Sequence, residues 1–296
     1  MDLEYVNDKY KTLKDVLKKE FNISDRLILK LKETNSLYIN NINAKINDLI
    51  SINDIIKINL DFSEDTNNNI ISVKMPLDII FEDESILVIN KPSNMPIHPS
   101  ILHFEDTLSN GIKYYFNSIG LNKKIRPVNR LDKDTTGIVI FAKNQYIQET
   151  LIRHMQNNTF KKEYIAILKG HLENSAGTIN ANISRKDGSI IEREINENGD
   201  TAVTHYELIK NFEYEGQKLS LVKFILETGR THQIRVHSKY IGHPIIGDSL
   251  YGIVSNLIER QALHAFKVTF IHPLTNKQLV IEAPIPNDME KIIKES

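Results

Sequence analysis

The chain reads as an α+β protein, a mostly antiparallel mixed sheet with flanking helices, preceded by a small N-terminal α+β module. Strand-like segments dominate beyond residue 75, and the few helical segments among them do not alternate regularly with strands as a parallel α/β sheet would demand. A polar, low-complexity stretch from Ser63 to Asn69 separates two blocks. The expected division is residues 1–62 for the small module, 63–74 for a linker and 75–296 for the main domain.

In the first block, Thr12 to Lys32 carries Leu13, Val16, Leu17, Phe21, Leu27 and Leu31 at helical spacing, and Ser24-Asp25 is placed to cap a second helix. Short strands follow at Leu37-Tyr38-Ile39 and Ile55 to Ile58, between Asn-rich turns. The second block opens with a hairpin, Leu77 to Phe81 and Ile86 to Asn90 around the acidic turn Asp83-Glu84-Ser85, and Lys91-Pro92 ends it. Ile138 to Ala142 reads as a buried strand, and Tyr146 to Met155 as a helix with Ile147, Leu151 and Met155 on one face. Further strands are expected at Tyr164–Leu168, Gly177–Ile183, Val203–Leu208, Leu219–Leu226, Ala262–Phe270 and Gln278–Ala283, interrupted by one helix, Thr231–Tyr240.

At 296 residues, 41% hydrophobic and 25% charged, the chain can bury one sizeable core plus a small second one. Apolar residues never run ten in a row and the start is acidic, so neither a membrane span nor an export signal is expected. Cysteine is absent, which excludes disulfides, thiolate catalysis and Cys-ligated zinc and fits a reducing, cytoplasmic setting. Net charge is -1, so any nucleic-acid surface must come from local clustering.

The absence of Walker, GxGxxG and HExxH motifs removes the usual footholds for nucleotide, nicotinamide and zinc chemistry. His232 and His237 lie five apart, the wrong interval for one helix face, so no metal is expected. Gly247-Asp248-Ser249-Leu250 matches the nucleophile block of an esterase family. Here it lies late in the chain, and no histidine follows the one later aspartate, Asp288, so the triad cannot close in that order. Gly247 and Gly252 read as turn glycines, and Ser249 as a solvated or turn hydroxyl.

The most informative run is Arg130-Leu131-Asp132-Lys133-Asp134-Thr135-Thr136-Gly137, which draws a carboxylate towards a buried strand. Alone it is a structural Asp-Arg pair or a turn aspartate. With it, however, stand KKEYIAILKG (161–170), TGRTHQIRVH (228–237), HPIIGDSLYG (243–252) and RQALHA (260–265). In this order and spacing they resemble the signature blocks of the RluA-type pseudouridine synthases, and Pro76 to Pro99 resembles that family's first hairpin. The first block is similar to an S4-type RNA-binding module in its helix pair followed by LYINN and DIIKI, although its turn glycines are Asn and its helices carry little excess positive charge. A small docking or packing domain is the other reading of that block.

The resemblance implies an RNA uridine isomerase that needs no cofactor, with ribosomal or transfer RNA as partner and no metal or membrane; as for assembly, a monomer is expected. Asp132 is the expected reacting carboxylate, because C1′ becomes positive as the base departs. It either attacks C1′ or takes the C2′ proton, and both routes stay open. A dry pocket would raise an aspartate's pKa, so a fixed cation is needed, and Arg235 is placed for it. Tyr164 is expected to stack on the uracil and reach the C5 proton. A stacked uridine must be flipped out, at roughly a few kcal/mol, and Arg130 resembles the family's gap-filling arginine. Lys162, Arg230, His232 and Gln233 are the expected RNA contacts, with Lys161, Lys239, Lys123, Lys124 and Arg126 along a phosphate track. Asn129 and Thr136 stand where the family commonly has His and Ser. A non-catalytic RNA-binding or ribosome-assembly protein on the same scaffold is the alternative.

Overall fold

A strand the sequence does not announce, β1 (Asp2–Val6), opens the N-terminal module; its one buried side chain, Leu3, is too little pattern to read. It pairs antiparallel with β4 (Ile55–Asn59), which also pairs with β2 (Leu37–Ile39), and β3 (Ile42–Asn43) closes the sheet in the order β1-β4-β2-β3. Beside it lie α1 (Leu13–Asp15), continued as a π-helical turn through Val16–Glu20, and α2 (Asp25–Glu33). Ser24 caps α2 as expected, its hydroxyl accepting from the Leu27 amide at 3.2 Å. The helical run is broken at Asn22, in the left-handed region with Asn35, Asn40, Asn41 and Asn53. Asparagine thus does the work of turn glycine, because its short polar side chain tolerates that conformation. The structure, a computed structural model, describes residues 1–62, 70–252 and 255–295, so the polar stretch 63–69 lies outside the described residues.

The main sheet is built from β5 (Ile79–Glu82), β6 (Ile86–Lys91), β7 (Thr136–Ala142), β8 (Lys161–Lys169), β9 (Ala176–Asn180), β12 (Val203–Tyr214), β13 (Gln217–Leu226), β14 (Leu263–Ile271) and β15 (Gln278–Glu282), while β10 (Ile183–Arg185) and β11 (Arg193–Ile195) form a separate hairpin. Its order is β5-β6-β7-β14-β8-β13-β12-β9, with β15 on β14, and among the described strands only β7 and β14 run parallel. Four helices flank it: α3 (Leu108–Ser118), α4 (Gln145–Gln156), α5 (Gln233–Tyr240) and α6 (Asn287–Lys294). Among them, helix α3 was not anticipated, because Ser109, Asn110 and Gly111 are poor helix formers; all three are buried, and Gly111 leaves room for Met75. Nor was α6, whose core face is only Met289 and Ile292. The single strand expected over 177–183 is two, divided at Ala181-Asn182, and α5 begins at Gln233 rather than Thr231.

One apolar core runs through both blocks, joining Leu17, Leu31 and Ile56 of the module to Ile86, Ile138 and Ile140 of the main sheet. The seam has polar ties as well. Ser24 donates to Glu149 at 2.9 Å, and the Lys123 ammonium bonds Asp61 and the Phe62 carbonyl, each at 2.8 Å. Lys123, expected on a phosphate track, is 7% exposed and serves this seam instead.

The parallel β7–β14 contact fixes the start of the RLDKDTTG strand. Gly137 sits at φ 109°, where any Cβ would collide with the Ala265 backbone. Next to it, Thr136 bonds His264 Nδ1 at 2.9 Å, and burial pushes His264 down to about 4. An unfolded histidine titrates near 6.5, so between those values the native state binds fewer protons and stability rises with pH. We expect roughly 2–3 kcal/mol, complete above about pH 6.5, to be lost as pH falls towards 4. Urea unfolding at stepped pH should show this limb in the wild type and a shallower one in His264→Gln; equal slopes would refute the assignment.

Candidate active site

The loop before β7 is anchored at nearly every residue. The Lys91 ammonium, fully buried, donates to the carbonyls of Pro92 (2.8 Å), Met95 (3.0 Å) and Lys133 (2.8 Å), and burial lowers it to about 7. Asp134 accepts from the Asn94 amide at 3.2 Å, and Gln261 donates to Thr135 at 3.2 Å. Asn129, in the position of the family's histidine, accepts from the Ile140 amide and donates to the Ile138 carbonyl, each at 2.9 Å. The loop therefore holds its shape without substrate, and Asp132 points from it into a cleft of about 770 Å³.

All eight residues expected at the site line this cleft, from the β7 loop (Arg130, Asp132), β8 (Lys162, Tyr164) and the β13–α5 turn (Arg230, His232, Gln233, Arg235). Arg235 Nη1 donates to Asp132 Oδ2 at 3.0 Å. Its other edge is gripped by Asp248, with Nε to Oδ2 at 2.7 Å and Nη2 to Oδ1 at 2.8 Å. Burial alone would raise Asp248, but the guanidinium and the Leu250 and Tyr251 amides outweigh it and hold the carboxyl below its usual range. Arg235 faces the reverse pull: burial would lower it, and the two carboxylates keep it above normal. Tyr164 is 6% exposed, and burial, then the Asp132 charge, raise its hydroxyl. That phenol stays protonated at neutral pH.

The expected RNA contacts divide. Arg130 is exposed, and Lys162 is a half-buried cation whose pKa burial lowers. Arg230 is exposed but donates to the Thr201 carbonyl at 2.9 Å. Gln233 departs from expectation. It is 2% exposed, its amide donates to Val203 and Thr204, and its oxygen accepts from Thr228 and the Arg230 amide, so it holds the turn together rather than reaching outward. His237 is likewise internal, bonded to Thr204 and the Ala181 carbonyl.

Three residues at the site escaped the sequence reading: Asp248, Lys91 and Tyr251, whose hydroxyl meets His232. Asp248 lay inside the GDSL tetrapeptide, dismissed as a turn, and Lys91 was taken as the end of a hairpin. A signal was present for the first, since a buried arginine that faces one acid can hold a second, and Asp248 is the one acid in the two blocks, HPIIGDSLYG and RQALHA, that were given no site residue.

Asp132, held by the Arg235 guanidinium, thus shares an open cleft on a mixed sheet with the Tyr164 phenol. Residues 85–240 match the RNA pseudouridylate synthase family. The chain is 43% identical over 235 residues to the uncharacterized RNA pseudouridine synthase YhcT of Bacillus subtilis (strain 168), covering 79% of this chain and 77% of that one. It is 36% identical over 234 residues to ribosomal large subunit pseudouridine synthase D of Escherichia coli (strain K12), covering 74% and 70%. Among solved structures, human RNA pseudouridylate synthase domain containing 1 superposes with a TM-score of 0.60 at 29% identity, over 71% of this chain and 83% of that one. The chain belongs to the RNA pseudouridylate synthase family, in its RluA type, and its reaction is the isomerisation of uridine in RNA.

Asp248→Ala strips a buried guanidinium of its two-bonded partner. The variant should be less stable by about 3–5 kcal/mol in urea unfolding, and a loss under 1 kcal/mol would show that Asp132 alone suffices for Arg235.

Proposed function

We propose that the protein converts specific uridines of structured RNA to pseudouridine, ribosomal RNA before transfer RNA, with Asp132 as the reacting carboxylate. The observation that carries this reading is the convergence of Asp132, Arg235 and Tyr164 in one cleft of one chain, which also suits a working monomer. The ribosomal preference draws on the large-subunit enzyme named among the relatives. We place it in the cytoplasm; among the described residues, no helix is long and apolar enough to cross a membrane.

The chemistry balances without a redox partner. The N1–C1′ bond breaks, the base turns, C5 bonds to C1′, and the C5 proton leaves while N1 gains one. Asp132, ionised beside Arg235, either bonds C1′ or removes and later returns the C2′ proton. Tyr164, protonated and facing the same space, supports stacking of the turned base, and its oxygen can accept the C5 proton only as its own is passed on. Arg130 at the mouth would fill the gap left by the flipped nucleotide.

A second groove, about 490 Å³, runs between α2 and the main domain and shares His98, Val128 and Arg130 with the cleft. Arg26, Lys30, Lys124 and Arg126 line it, against the single carboxylate of Glu149. This supports reading the N-terminal module as an S4-like RNA contact and the groove as the phosphate track. Replacing Arg26 or Lys124 by Ala should weaken RNA binding and flatten the slope of log affinity against log salt by about 0.7–0.9 per lost phosphate contact; unchanged slopes would remove the groove from the track.

The central test uses RNA from cells lacking the gene, mapped for pseudouridine before and after incubation with the protein. Wild type should convert a small set of sites, and Asp132→Asn should be slower by about 10³-fold or more while binding RNA normally. Full activity in Asp132→Asn would overturn the assignment.

A further inference from the structure

We propose that His232 is a positioning residue for Asp132, set in place by Tyr251, and that together with Arg235 it fixes Oδ2 so that Oδ1 is the oxygen that meets the ribose. The proposal rests on Asp132 being the reacting carboxylate and adds which of its oxygens reacts and what aims it.

The backbone gives the first indication. His232 occupies the N-cap of α5 at φ 59° and ψ 19°, in the left-handed region, and its side chain makes no capping bond. An N-cap is ordinarily extended and carries a Ser, Thr, Asp or Asn that bonds the first turn. Histidine is among the residues that enter the left-handed region most readily, and here, with no capping bond to make, its side chain is turned to other partners.

That side chain is held at one nitrogen and free at the other. Nδ1 lies 2.8 Å from the Tyr251 hydroxyl, and the two rings meet edge to face at 5.5 Å. The Tyr251 oxygen already accepts from the Arg193 amide at 2.7 Å. Among the described residues Nδ1 is the one acceptor within reach of the Tyr251 proton, and the proposal takes that direction, which puts the proton of the neutral imidazole on Nε2. Nε2 faces Asp132 Oδ2 at 3.9 Å. At that distance the N–H makes a charge–dipole contact with the carboxylate and not a hydrogen bond.

Both donors thus converge on one oxygen. Arg235 reaches Oδ2 at 3.0 Å and His232 faces the same atom, while Oδ1 has no hydrogen-bond partner among the described residues. The groups around the imidazole favour its neutral form: burial and the charges of Arg235 and Arg193 outweigh Asp132 and Asp248, and its pKa is lowered. A cationic His232 would compete with Arg235 for the carboxylate; a neutral one orients it.

The Gly247–Gly252 turn supplies both anchors. Asp248 grips Arg235, and Tyr251 holds His232 while its ring lies 5.1 Å from the Arg235 guanidinium. The turn that contains the esterase-like tetrapeptide is thereby a brace behind the two residues that face Asp132.

Two measurements test this on the full chain. In the first, long-range proton–nitrogen spectra of protein with ¹⁵N-labelled histidine should show His232 as the Nε2–H tautomer in wild type and as a mixture in Tyr251→Phe; an Nδ1–H tautomer, or no change on losing the hydroxyl, would overturn the proposal. In the second, tritium release is followed in single turnover from RNA labelled with [5-³H]uridine in cells lacking the gene. His232→Asn tolerates the left-handed backbone and should lower the maximal rate by about 10- to 100-fold, with half-saturation moved no more than about twofold. Tyr251→Phe should slow the wild type and cost nothing further in the His232→Asn background. Unchanged rates, a loss of affinity in place of rate, or full additivity would each refute it. Should Asp132→Asn itself stay active, the fault lies with the reading of Asp132, whereas an inactive Asp132→Asn beside an unimpaired His232→Asn isolates the failure to this proposal.

Discussion

The structure turns on one guanidinium shared by two acids. Arg235 is 6% exposed on α5 and cannot be left unpaired, because an isolated buried charge costs several kcal/mol. Asp248 satisfies one edge with two bonds, which leaves Nη1 for Asp132. The division is asymmetric: Asp248 is fully buried, while the Asp132 side chain keeps 26% of its surface exposed. A planar fork with five donors can serve both acids, and a lysine ammonium could not hold the same geometry. Two carboxylates against one guanidinium leave a net negative charge in a sheltered place. Lys91 lies on the loop side, where Asp134 and Asp132 favour its charged form against the burial that lowers it to about 7.

Rigidity in the β7 loop serves that arrangement. Every residue of β7 is buried, so the loop leaves a strand that cannot slide. Gly137 allows β7 to approach β14 closely, and His264 and Gln261 tie Thr136 and Thr135 from the β14 side. Lys91 and Met95 hold Lys133 from the other. Such preorganisation matters for a carboxylate proposed to meet a flipped nucleotide, because misplacement by about 1 Å can cost two orders of magnitude in rate. Its counterpart at the helix end is His232, whose left-handed backbone costs about 1–3 kcal/mol that the surrounding contacts must offset.

Much of this was legible from residue order, and the limits have physical causes. Strands with unbroken apolar runs, such as Ile138 to Ala142, and helices with a clean stripe, such as Tyr146 to Met155, appear where periodicity places them. Helix α3 did not show itself because the poor helix formers Ser109, Asn110 and Gly111 fill its first turn and obscure the apolar stripe of Leu108, Ile112 and Phe116. Asp132, Tyr164 and Arg235 were identified by motif, and the structure brings them to one cleft. Asp248 and Tyr251 were missed because partnership between residues 235, 248 and 251 is a matter of three-dimensional approach, which local spacing does not encode. Lys123 failed in the opposite sense: a basic residue in a basic run reads as surface, and only the fold reveals Asp61 and the Phe62 carbonyl waiting for it.

The loss of Lys123 to the seam bears on how a chain of net charge -1 engages a polyanion. Local geometry matters more than the sum, because fields between exposed charges are screened beyond about 8 Å at physiological salt. Acids at the seam and core, Asp61, Asp248 and Asp83, are each paired with a cation or a protein donor and contribute little repulsion at the cleft. The shared core of Leu17, Leu31, Ile86 and Ile138 fixes α2 against the main sheet, so Arg26 and Lys30 stand at a set distance from Arg130. A docked module of this kind adds its cations to the groove without the entropic cost of ordering a tethered domain on binding. The pairing of the seam and the basicity of the groove are therefore one arrangement, in which Lys123 is given up as a contact so that its neighbours can hold their places.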